Sequence, residues 1–249
     1  MMKLAITAAC LLAVAAPIAA QKATPAITAA LADPSRPADQ RAKDATRKPA
    51  ELLAFAGIKP GQQVADFIMG GGYWTRILSP LVGEKGKVYA YQPAEFIQFR
   101  AAYADEQKAA VTGLANTVAL SESLAAVSFP EKLDAIMTVQ NYHDLFLSPF
   151  PKGTGEAVTR KLYNSLRPGG VLLVVDHVAN ADPENKAPTA LHRIDPAVAR
   201  RELEKAGFRF AGKLDLLRNP ADPHTAGVFD PSIRGKTDQF VFKFVRPRS

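Results

Sequence analysis

The stretch Gln63-Val64-Ala65-Asp66-Phe67-Ile68-Met69-Gly70-Gly71-Gly72-Tyr73-Trp74 decides the fold. A short apolar run that reaches an acidic residue, then three glycines, then helix-forming residues reads as a buried strand, a tight turn and a helix. Glycine at such a turn lets bare backbone approach a ligand at the C-terminal edge of a parallel sheet. Gly70, Gly71 and Gly72 are therefore candidate cofactor-binding residues. Asp66, at the strand end, is placed to accept from a cofactor ammonium, and the amides opening the helix to meet a polar or negative group.

Outward from this turn the pattern repeats. Gln63 to Ile68 and Tyr73 to Leu81 form a first strand and helix, followed by a strand at Lys87 to Tyr91 and a helix at Ala94 to Ala109. Further strands are expected at Asn116 to Leu120, Leu133 to Val139 and Val171 to Val175, with a helix at Glu156 to Leu166. Such alternation implies parallel strands with helices on both faces. Asp195-Pro196 opens another helix, closed by Gly207. Phe208 to Leu217 and Gln239 to Val245, joined by a long segment without helical pattern, read as an antiparallel hairpin at the sheet edge. The fold class is α/β, a mostly parallel seven-stranded sheet with that edge hairpin.

The N-terminal part reads differently. Met1-Met2-Lys3, the apolar run Leu4 to Ala16 and the small residues up to Ala20 match a secretory signal, which places the protein in an exported, periplasmic setting. The apolar run is shorter than the roughly 20 residues that span a bilayer, so no stable membrane insertion is expected after cleavage. The only cysteine, Cys10, lies inside that signal, so disulfides, thiol nucleophiles and zinc-thiolate sites are excluded from a cleaved chain. Residues 21–37, rich in Ala, Pro and Thr, read as a flexible linker, and residues 38–249 as one domain that begins with two short cap helices. The apolar fraction of 47% suffices for a core, and the net charge of +7 is spread in mixed runs, which argues against a nucleic-acid interface. Neither a Gly-x-Ser-x-Gly elbow nor a P-loop occurs in the sequence.

Asp66 with Gly70 and Gly72 resembles the Asp-x-Gly-x-Gly-x-Gly signature of class I S-adenosylmethionine-dependent methyltransferases, with Ile68 in place of its first glycine. Leu133-Asp134-Ala135-Ile136-Met137 before Asn141-Tyr142-His143-Asp144, and Leu166-Arg167-Pro168-Gly169-Gly170 before the fifth strand, resemble the same superfamily. The segments His192-Arg193-Ile194-Asp195, Ala206-Gly207-Phe208, Leu217-Arg218-Asn219-Pro220 and Arg234-Gly235-Lys236-Thr237-Asp238 are similar to a bacterial family of exported predicted methyltransferases. That resemblance spans Asp33 to Pro247 and implies a Rossmann-like fold, S-adenosylmethionine as cofactor and a small-molecule methyl acceptor. By the same resemblance Gln92 stands where an acidic residue would hold the ribose hydroxyls, Asn141 lies in the segment that lines the cofactor, and Ser121 or Glu122 would be near the adenine.

Adjacent fourth and fifth strands would bring Asn141, His143 and Asp144 close to Asp176 and His177. His143 and His177 are the candidate catalytic bases for deprotonating an acceptor; loop bracing is the alternative for each. A metal held by some of His143, Asp144, Asp176, His177 and His192 is a further alternative, but no compact pair fixes two ligands on one helix face, so no metal is assigned. Arg193 and Arg234 are candidates for an acidic substrate or for salt bridges, and Trp74 for the core. The oligomeric state is not legible.

Overall fold

The computed structural model describes residues 22–248, so the signal read at residues 1–20 lies outside the described residues. Seven strands form one sheet in the order β3-β2-β1-β4-β5-β7-β6. They are β1 (Gln63–Phe67), β2 (Lys87–Tyr91), β3 (Thr117–Leu120), β4 (Leu133–Val139), β5 (Leu166–His177), β6 (Arg209–Leu214) and β7 (Gln239–Val245). The first five are parallel, while β7 runs antiparallel to both β5 and β6. This is the expected seven-stranded sheet with its edge hairpin.

Helices cover both faces, and the two-residue period of the strands decides which side chains meet which helices. Phe67, Tyr91, Ile136, Leu172 and Val174 pack on one face with α8 (Thr154–Ser165) and α10 (Pro196–Lys205). Val64, Val88, Met137, Leu173 and Val175 pack on the other with α1 (Pro25–Leu31), α4 (Pro49–Ala56) and α5 (Tyr73–Val82). Between these, α2 (Ala38–Arg41) and α3 (Asp44–Arg47) lie ahead of α4, and α9 (Ala187–Leu191) precedes α10. No helix among the described residues is long and apolar enough to cross a membrane.

Three local readings are corrected. The stretch expected to be a linker contains α1, whose Ile27 and Ala30 are buried in the core. Thr24 caps it by accepting from the Ile27 amide, and Pro25 occupies its first turn. The single helix expected from Ala94 to Ala109 is two, α6 (Ala94–Phe99) and α7 (Ala102–Val111), because Arg100 adopts an extended backbone. That break lets Phe96 pack beside Phe150 while Ala110, further along, seats against Gly72. Finally, β5 begins at Leu166, because its first residue pairs with Leu133 before a register shift.

Candidate functional site

The glycine turn is held from four directions. Met69 donates its amide to the Tyr91 carbonyl at 3.0 Å, and Gly70 donates to Gln92 Oε1 at 2.9 Å. Asn141 Nδ2 donates to the Ile68 carbonyl at 2.8 Å, and Gln40 Nε2, from α2, donates to the Gly71 carbonyl at 3.0 Å. Because the Gly72 amide donates to Met69 within the turn, only the Gly71 amide among the three glycines has no protein partner among the described residues. Ile68, at the position of the signature's first glycine, keeps a left-handed backbone with φ of 61°. A β-branched residue there costs on the order of 1–2 kcal/mol. Burial of its side chain in the core offsets that strain.

The glycines divide by function. A Cβ built on Gly70 meets nothing within 4 Å, so this position borders open space. A Cβ on Gly72 would lie 2.3 Å from the Ala110 Cβ, so this glycine is required by packing of the turn against α7. Gly70 and Gly71 line a crevice of about 720 Å³, within the roughly 300–1,000 Å³ of small-molecule sites. Ile68 and Met69 form part of its wall without closing it.

Other sequence candidates fall on either side of that boundary. Asn141, His143 and His177 line the crevice, whereas Asp66, Gly72 and Gln92 do not. The Asp66 carboxylate is turned into the fold, where it accepts from Thr75 Oγ1 at 2.6 Å, and burial pushes its pKa up to about 6 against the opposing Thr75 bonds and Arg47 charge. Gln92 is fully buried and braces Gly70; its Nε2 has no partner. An acidic side chain on the crevice wall near the glycine turn is instead Glu95, one helical residue inside α6, which accepts from the Leu124 amide at 3.0 Å; Asp144 is a second acidic residue of the wall. Ser121 and Glu122 stand outside the wall; Ser121 donates to Gln107 Oε1 and the Glu122 carbonyl accepts from Tyr91.

The expected meeting of the loops after β4 and β5 is present. His143 donates its amide to Asp176 Oδ2 at 2.7 Å, and its Nδ1 lies 2.8 Å from Asp176 Oδ1. Its Nε2 lies 3.1 Å from Asp144 Oδ1. Burial alone would lower the His143 pKa, but the two carboxylates override it and hold the imidazole protonated, up to about 10. Asp144, raised by burial but lowered more by His143 and His192, falls to about 2. His177 goes the other way: burial pulls it down to about 4 despite Asp176, and its Nδ1 meets Thr237 Oγ1 at 2.7 Å. Two histidines with ring centroids 6.0 Å apart thus differ in protonation at neutral pH, His143 cationic and His177 neutral.

Arg193 is fully buried in a bidentate pair with Asp222 and bonds the Val178 and Ala226 carbonyls, so it braces the loop before β7. Arg234 borders a second, neighbouring cavity of about 510 Å³. Trp74 is buried, as expected of a core residue, yet it also forms part of the crevice wall with its Nε1 unpartnered. Sequence reading overlooked Lys43 and Arg47, which close the crevice from the cap helices. Arg47 makes no ion pair among the described residues and lies 4.5 Å from the Tyr73 ring centroid. Its only signal in the sequence was membership of a mixed charge run.

No protein-family model matches the chain, and no curated protein matches it in sequence. Solved structures do match in shape. A S-adenosylmethionine-dependent methyltransferase from Aquifex aeolicus superposes with a TM-score of 0.60 at 22% identity, covering 88% of this chain and 96% of that one. A putative methyltransferase from Bacillus halodurans gives 0.54 at 19% identity, covering 80% and 98%. The cyclase SpnF gives 0.57 at 17% identity, covering 87% and 85%. With the sheet order and the glycine turn described above, these likenesses establish that the chain has the Rossmann-like fold of class I methyltransferases.

Proposed function

We propose that this protein binds S-adenosylmethionine in the crevice beside Gly70 and Gly71 and catalyses methyl transfer to a small-molecule acceptor. The observation that carries this reading is the open space over the side-chain-free face of Gly70, at the C-terminal edge of β1, where this fold admits a nucleoside. When bound, that cofactor supplies an electrophilic methyl group on a sulfonium. The chain's own residues supply the cradle. Gly71 offers a free amide, Glu95 is an acidic group on the wall that can serve in place of the displaced Gln92, and the unpaired Arg47 guanidinium suits a carboxylate.

Proton acceptance falls to His177 rather than His143. An imidazole already held as a cation between Asp144 and Asp176 has no lone pair to offer, whereas His177 is neutral at pH 7 and borders the same crevice. Aromatic side chains at Phe96, Tyr103 and Phe150 form an apolar wall, which favours an acceptor with a flat apolar part. Export is a separate proposal, supported by the Met1 to Ala20 pattern; fractionation that finds the native protein only in the cytoplasm would dismiss it.

Calorimetric titration with S-adenosylmethionine and S-adenosylhomocysteine tests the reading. One-to-one binding is expected, and absence of heat or thermal shift at millimolar ligand overturns it. A second reading, a non-catalytic binding protein that kept the fold, is favoured by two departures, Ile68 at a glycine position and Gln92 at an acidic one. The shape shared with a cyclase is a reminder that fold alone does not select a reaction.

A further inference from the structure

We propose that His143, Asp144 and His192 form a binding site for a divalent first-row transition ion of the zinc class, open to the crevice. His143 and Asp144 come from the short turn after β4, and His192 from the end of α9, so two separate segments converge. His143 Nε2 lies 3.1 Å from Asp144 Oδ1, and His192 Nδ1 lies 3.6 Å from the same oxygen. One ligand atom from each residue falls within 4.8 Å of the others. A gap of 3.6 Å is too long for a hydrogen bond. It lies within about 0.2 Å of the spacing of ligands on a common ion, since donors about 2.1 Å from one metal lie roughly 3.0–3.5 Å apart, so a small rotation of the His192 ring completes the set.

The outer contacts fit the same purpose. Asp176 accepts from His143 Nδ1, which fixes the ring and directs Nε2 toward Asp144, the carboxylate-histidine arrangement that orients metal ligands. The ion takes His143 as a neutral imidazole, so its binding displaces the Nε2 proton that faces Asp144 and releases it to solvent. His192 adopts a left-handed backbone with φ of 53° as the C-cap of α9, and its ring stands edge-on to His143 at 5.6 Å. The left-handed backbone ends α9, with the His192 amide donating to the Pro188 carbonyl, and so turns the ring toward Asp144 without bringing it within bonding distance. Two imidazoles and one carboxylate select zinc, iron, cobalt or nickel over magnesium and calcium, which prefer oxygen donors. All three residues line the crevice, so the remaining coordination positions face the space where an acceptor's oxygen or nitrogen would sit.

This inference does not depend on binding of S-adenosylmethionine. The test uses the full chain without a histidine tag, titrated with cobalt(II) alone and followed by its visible ligand-field absorption, then competed with zinc(II). One equivalent of cobalt is expected to bind, to be displaced by zinc and to be unaffected by excess magnesium. His192→Ala removes a half-exposed ligand and is expected to lower cobalt affinity at least tenfold with an unchanged melting curve in metal-free buffer. His224→Ala, outside the cluster, is expected to bind cobalt as the parent does. Failure of the parent to bind cobalt at tens of micromolar, or equal binding by the His192 variant, overturns the proposal. Calorimetry with S-adenosylmethionine on the same metal-free samples keeps a failure here distinct from a failure of the methyltransferase reading.

Discussion

The amide of Gly70 donates to Oε1 of Gln92 across 2.9 Å, so the residue expected to touch a ribose instead holds the turn on which a cofactor would rest. The side chain is fully buried, and its Nε2 has no partner, so its bond to Gly70 is the one gain it makes. Replacing Gln92 by Leu keeps the volume but leaves the Gly70 amide unpaired, at a cost of about 1–3 kcal/mol, less whatever relief comes from removing the orphaned Nε2. Gln92→Leu is therefore expected to fold with a slightly lower melting temperature and to bind S-adenosylmethionine more weakly. Affinity equal to that of the parent would show that the turn does not need this brace.

Adjacent glycines should respond in opposite ways. Gly70→Val places a branched side chain in open crevice space at a backbone φ of 54°, for about 1–2 kcal/mol of strain. The expected result is a folded protein whose titration with S-adenosylmethionine is silent. Gly72→Val forces its Cβ into Ala110 and Arg76, so loss of soluble folded protein is expected there. Normal titration by the Gly70 variant would remove the crevice from the cofactor reading.

The sheet was readable because its information is repetitive: β1, β4 and β5 carry apolar side chains toward both helical layers, and β7 alternates beyond a long unpatterned loop. The convergence of His143 with Asp176 followed from strand adjacency alone. What escaped depended on single side chains. Only Ile27 and Ala30 of α1 are buried, too few to stand out from an Ala-rich background, although Thr24 and Pro25 did mark its start. Gln92 follows a buried strand directly, and whether its side chain turns toward the crevice or toward Gly70 is decided by the turn, which no periodicity encodes. Arg47 differs from its charged neighbours only in where α3 places it.

Asp66 provides a pH signature. Its pKa rises from the ordinary 3.8 to about 6 on folding because its charged form is buried, so the folded state holds the proton more tightly than the unfolded chain. Stability from this group is present below about 3.8 and is lost as pH climbs through 6. The difference corresponds to about 3 kcal/mol. Asp66→Asn cannot ionise, so its stability relative to the parent should improve by roughly 2–3 kcal/mol between pH 4 and pH 7.5. Denaturant unfolding of both proteins at the two pH values measures this, and a pH-independent difference would mean that Asp66 titrates normally.

The cap helices are fastened to the glycine turn through a buried charge. Arg36, fully buried, makes a bidentate pair with Asp44 at 2.7 and 2.9 Å, and Tyr73, the first residue after the glycines, donates its hydroxyl to the same carboxylate at 2.6 Å. Asp44→Ala would leave the guanidinium in the interior with the Leu31 carbonyl as its remaining hydrogen-bond acceptor. Removing one partner of a buried pair costs about 3–5 kcal/mol. The partial exposure of Asp44 lowers that figure by admitting water, so about 2–3 kcal/mol is expected in unfolding experiments. Because Lys43 precedes Asp44 directly and Arg47 ends the helix that Asp44 begins, the loss should also loosen the roof of the crevice. Hydrogen exchange is the direct measurement: amides of α2 and α3 are expected to exchange faster in Asp44→Ala while those of β4 and β5 keep their protection. Uniform acceleration across the sheet would instead mean that Asp44 supports global stability without governing the crevice roof.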